Sequence, residues 1–103
     1  MEAESRLDYA TFRNYLEDIG DHRAGYACRA RTCPLARYLL HCGRKGVSVE
    51  GILLKWGPPK QVTVLPDWAI WFHLRLDYPY NGSAHAVTGY EAFDILAAIP
   101  HEA

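Results

Sequence analysis

All three cysteines and three arginines of the chain fall in one stretch, Cys28-Arg29-Ala30-Arg31-Thr32-Cys33-Pro34-Leu35-Ala36-Arg37-Tyr38-Leu39-Leu40-His41-Cys42. Thiols beside arginines are the residue types from which thiolate chemistry is built. Positive charge and a helix N-terminus both stabilise the sulfur anion. Pro34 suits the first position of a helix, where a missing N–H loses nothing. Cys33 then sits at the helix entry and Cys28 in the preceding loop, so the two are the candidates for redox chemistry. Their spacing is Cys-x4-Cys, not the Cys-x-x-Cys of thioredoxin-like sites.

Zinc is a second chemistry for the same pair, but a structural site wants four ligands. His41 and Cys42 do not complete it. The helix from Cys33 to His41 rises about 12 Å, against zinc–ligand bonds of about 2.0–2.3 Å. His22, His73 or His85 would have to supply the rest. The plain role for the thiols is structural, with Cys33 at the helix start and Cys42 filling the core as a small hydrophobe. A Cys28–Cys33 disulfide is a variant that a reducing cytosol disfavours.

The arginines point to anions. Arg29, Arg31 and Arg37, with the free N–H groups of a helix start, are the parts of an anion site. Arg44 and Lys45 follow Gly43 at the other end of the helix, where the dipole favours cations. Net charge is −1 overall, yet residues 22–46 carry six bases and no acid. The near-neutral total argues against a dedicated nucleic-acid binder. The local excess fits an acidic protein surface or a nucleic-acid backbone, unless the acidic residues 1–21 neutralise it. Tyr78 and Tyr80 flank Pro79 in a turn-rich loop, and exposed tyrosines there would anchor an interface. The binding candidates are therefore Arg29, Arg31, Arg37, Arg44, Lys45, Tyr78 and Tyr80.

Catalytic signals are thin. The chain has no glycine-rich phosphate loop, no G-x-S-x-G elbow and no H-E-x-x-H. Ser48 and Ser83 lack an activating context, His73 reads as packed in a helix, and His85 is a lone loop histidine. We expect no catalytic residue and no cofactor.

The elements that must position these residues follow from periodicity. Asp8 or Ser5 caps a first helix whose Phe12, Leu16 and Ile19 share a face, ended by Gly20-Asp21. Residues 21–32 read as a basic loop around Gly25. Leu35, Leu39 and Cys42 make the stripe of the second helix. Val47–Glu50 alternates as a strand, and a bulge at Gly51 would put Ile52, Leu54 and Trp56 back in phase. Gly57-Pro58-Pro59-Lys60 turns into a return strand, Gln61–Leu65. A third helix runs from Trp68 to Asp77. Thr88 and Glu91 form a capping box for a fourth, which Pro100 stops.

With 103 residues, half of them hydrophobic, the chain is expected to form a single domain over residues 1–103. The fold class is α+β in the order α-α-β-β-α-α, with helices packed on a two-stranded antiparallel hairpin. No apolar run reaches the roughly 20 residues of a membrane span. The acidic first residues lack a signal core, and three cysteines, an odd count, argue against a full disulfide framework, so a cytoplasmic location is expected. The expected function is that of a small non-enzymatic interaction or regulatory protein, such as an inhibitor or accessory subunit of a larger complex. It would dock an acidic protein surface or a nucleic-acid backbone through the basic helix entry, with a homodimer as a further option. The alternatives are a thiol-redox or zinc-bearing protein centred on Cys28 and Cys33, and a DNA-binding regulator using the second helix and hairpin.

Overall fold

The computed structural model describes residues 7–99. Helix α1, Tyr9–Ile19, starts where Asp8 is extended and its Oδ2 accepts from the Thr11 backbone N–H at 2.9 Å and the Thr11 hydroxyl at 2.7 Å. Ser5, the other candidate cap, lies outside the described residues. Gly20, at φ 63°, ends the helix and donates its N–H to the Leu16 carbonyl at 3.1 Å. Phe12 and Leu16 face inward without exposure.

The stretch read as a basic loop contains a strand, β1, Arg23–Ala27. Helix α2 follows as Pro34–His41, with Cys33 extended ahead of it. Strands β2 (Ser48–Glu50), β3 (Leu53–Trp56) and β4 (Gln61–Val64) form an antiparallel meander in that order. Gly51 therefore makes a turn between two strands rather than a bulge within one, its φ of 61° suiting the glycine. Helix α3, Asp67–Asp77, runs into a single 3-10 turn at Tyr78–Tyr80.

Strand β5, His85–Thr88, pairs antiparallel with β1, which brings the loop assigned to His85 into a two-stranded ribbon. Helix α4, Gly89–Ala97, carries the expected capping box. The Thr88 hydroxyl accepts from the Glu91 N–H at 3.1 Å, and the Glu91 carboxylate accepts from the Thr88 N–H at 2.8 Å. Pro100 lies outside the described residues.

The described residues thus form four helices and two antiparallel sheets of two and three strands, an α+β fold whose helix order agrees with the sequence reading. The β1–β5 ribbon adds to the expected hairpin, which has a third strand. Phe12 is the hub of the core, its ring centroid 5.3 Å from Phe72, 5.2 Å from Tyr38 and 5.9 Å from Trp68. Such edge and tilted contacts suit the aromatic quadrupole. Helix α1 lies along α4 at close range, and a Cβ on Gly89 would stand 2.4 Å from the Leu16 carbonyl oxygen. Among the described residues no helix is long and apolar enough to cross a membrane.

Candidate binding cleft

The loop between β1 and α2 is held at both ends and in the middle. The Tyr26 N–H donates to the Thr32 carbonyl at 2.8 Å and the Cys33 N–H to the Arg29 carbonyl at 2.9 Å. The Val49 N–H of β2 donates to the Ala30 carbonyl at 2.8 Å. Arg31 is thereby carried on backbone fixed against the three-stranded sheet, while its side chain stays exposed. On the sheet's outer face, cross-strand pairing of Ser48 with Lys55 and of Glu50 with Leu53 presents Ser48, Glu50 and Lys55 together.

The floor is backbone. The Gly57 N–H donates to the Lys45 carbonyl at 2.9 Å. Gly46, at φ 62°, approaches so closely that a Cβ would stand 2.7 Å from the Gly57 carbonyl oxygen. The result is a cleft of about 420 Å³ lined by Arg31, Ser48, Glu50, Lys55, Trp56 and Lys60, with Gly46, Gly57 and Pro58 completing it.

Three cations and one acid line this cleft, and the acid is already engaged. The Glu50 carboxylate accepts from the Ser48 hydroxyl at 2.6 Å and from the Lys55 ammonium at 3.0 Å. The Ser48 hydrogen bond first, then Lys55, hold the Glu50 carboxyl below the usual carboxylate range, with Arg31 adding a smaller pull. Neither Arg31 nor Lys60 forms an ion pair among the described residues. Behind the cleft, the Arg44 guanidinium lies 3.9 Å from the centre of the Trp56 ring, a cation–π contact that fixes the indole.

The other candidates are dispersed. Arg29 is exposed on the same loop but does not line the cleft. Arg37 is exposed on α2, does not line the cleft and is felt by Tyr15 of α1. Lys45 is exposed and contributes its carbonyl to the floor. Tyr78, 86% exposed, borders a separate cleft with Cys28, Leu74 and Asp77. Tyr80 stacks on His85 with ring centroids 4.1 Å apart. The arginines and tyrosines therefore do not form one continuous surface. Among the described residues, Glu17, Asp18 and Asp21 form no ion pair with Arg23, Arg29, Arg31, Arg37 or Lys45.

The start of α2 does not gather Arg29, Arg31 and Arg37 into one cleft, because only Arg31 lines the one described above. Pro34, Leu35 and Ala36 are buried, and the Leu35 and Ala36 amides lie beside the Cys33 sulfur. Cys33 lies in the same closed turn, 1% exposed. Burial pushes its pKa up to about 11, and the nearby first-turn amides offset only part of that. Cys28 sits at φ 65°, its N–H donating to Asp77 Oδ1 at 2.8 Å and its Sγ to the Asp77 carbonyl at 3.5 Å. Asp77 Oδ2 lies 3.6 Å from His73 Nδ1. Among the described residues no group of three or more His, Cys, Asp or Glu side chains is arranged to hold a metal, so Cys28 and Cys33 do not gain partners from His22, His73 or His85.

Sequence reasoning missed Lys55, Lys60, Glu50 and Trp56 as parts of a site. The available signal was strand alternation, which sets Lys55 against Leu54 and hence on the solvent face. No family model, no curated protein and no solved structure matches this chain.

Proposed function

We propose that this protein is a non-enzymatic interaction module that docks an acidic protein segment in the cleft between the 28–33 loop and the three-stranded sheet. The observation that carries this reading is the convergence of Arg31, Lys55 and Lys60 on one cleft whose sole acid, Glu50, is held by Ser48 and Lys55. A carboxylate entering there meets Arg31 and Lys60 without first breaking an ion pair. Trp56, held by Arg44, offers an apolar wall beside these charges. Net charge of −1 favours an acidic peptide over a nucleic-acid backbone, whose binders are strongly basic.

The DNA-binding reading has less support. Helix α2 exposes Arg37, Leu40 and His41, a single permanent positive charge for a recognition helix. The test is a tryptophan-fluorescence titration with poly-glutamate, run beside a random DNA duplex at low and moderate salt. Saturable binding of poly-glutamate that weakens at least several-fold in an Arg31→Ala, Lys60→Ala double variant is expected. Equal binding by that variant, or a preference for the duplex with a steep salt dependence, would sink the reading.

A further inference from the structure

Among the described residues, strand β4 is an unpaired edge of the three-stranded sheet. All four of its residues are exposed, Val62 by 52% and Val64 by 58%. Edges of this kind are ordinarily blunted by charge, proline or a covering segment, and Gln61-Val62-Thr63-Val64 contains neither charge nor proline. The ladder to β3 fixes which backbone groups remain unused. The Leu65 N–H donates to the Ile52 carbonyl at 2.8 Å, and hydrogen-bonded pairs alternate along an antiparallel ladder. With Leu54 opposite Thr63 and Trp56 opposite Gln61, residues 61, 63 and 65 turn their amides and carbonyls toward β3. Val62 and Val64 turn theirs outward.

We propose that this edge is a homodimer interface in which β4 pairs antiparallel with β4 of a second copy about a two-fold axis at Thr63. The segment Val62-Thr63-Val64 reads the same in both directions, so that axis sets Val62 opposite Val64 of the second copy, and the reverse. Those are the residues with outward N–H and C=O groups, so each pair exchanges two hydrogen bonds in the manner of strand addition. The side chains of Val62 and Val64 share the sheet face of their β3 partners Lys55 and Leu53. Four valines from two copies would therefore meet on one face, with Leu53 of each beside them. Charge agrees at both ends. The same register places exposed Lys60 opposite Pro66 of the second copy, next to exposed Asp67, so the dimer contact competes with an acidic ligand for Lys60. The contact is self-complementary, as a closed two-fold dimer requires, and it joins the two meanders into one six-stranded sheet.

Sedimentation velocity over a concentration series, with two variants, tests this. The expected result for the native chain is a shift from the mass of one chain to that of two as concentration rises. Val64→Pro deletes an outward N–H that the ladder to β3 does not use, and edge strands tolerate such a proline. It should keep the native circular dichroism and sediment as one chain throughout. Thr63→Cys places two thiols across the axis as a non-hydrogen-bonded pair, with Cα atoms about 4.5 Å apart, within disulfide range. Mild oxidation should then give a covalent dimer that Gln61→Cys does not give. A one-chain mass for the native protein at every concentration overturns the proposal. A dimer that survives Val64→Pro and leaves Thr63→Cys uncrosslinked overturns it equally.

Discussion

At the scale of single residues, surroundings decide chemistry that residue type leaves open. Cys33 has arginines near it in sequence, yet desolvation outweighs the first-turn amides and keeps its proton on. The unfolded chain releases that proton near the ordinary thiol value of about 8.5, whereas the folded chain keeps it to about 11. The folded state therefore binds more protons in this window, and stability falls as pH rises through it. Urea unfolding between those pH values should show that loss, and a Cys33→Ala variant should show a shallower one. Alkylation near neutral pH should modify Cys28 and Cys42, both half-buried, well before Cys33. Equal rates for the three thiols would contradict the burial argument. Phe12 makes the complementary point about packing. It is fully buried among Tyr15, Tyr38, Trp68 and Phe72, so Phe12→Ala should destabilise by about 3–5 kcal/mol in the same assay.

At the scale of elements, local signals were legible where the physics is local. Asp8, Gly20 and the Thr88–Glu91 box terminate helices through bonds within a few residues, and each was readable in the sequence. Removing the Thr88 hydroxyl with Thr88→Ala should destabilise by about 1 kcal/mol, measurable by chemical denaturation. Strands β1 and β5 were not legible. Arg23–Ala27 is short, contains Gly25 and carries a register shift between Arg23 and Gly25. Its partner is remote in sequence, so its stability is non-local. The turn at Gly51 was mistaken for a bulge because both devices put a glycine between two phases of alternation. Gly46 belongs to this scale as well. A Gly46→Ala variant forces a Cβ at positive φ against the Gly57 carbonyl, and the cleft floor must shift. Poly-glutamate affinity should fall in that variant even though no charge is lost.

At the scale of the whole molecule, the site is made by bringing three separated segments together. Arg31 comes from the loop before α2, Lys55 from β3 and Lys60 from the turn before β4. Sequence proximity points instead to Arg29, Arg31 and Arg37 as one group, of which only Arg31 lines the cleft. Arg31 is carried toward Glu50 and Arg37 toward Tyr15. The α+β class was legible because helix and strand periods differ, whereas the cleft depends on pairings that periodicity does not encode. The Ala30–Val49 hydrogen bond that ties the loop to β2 is one of these.

An acidic segment is proposed to dock between this loop and the sheet. Amide and indole chemical-shift mapping of the labelled chain during titration with poly-glutamate tests it most directly. The expected shifts concentrate at Arg31, Ser48, Glu50, Lys55, Lys60 and the Trp56 indole N–H, and leave Arg37 and Tyr78 unmoved. Shifts centred on Arg37 and α2, or none at saturating poly-glutamate, would contradict it.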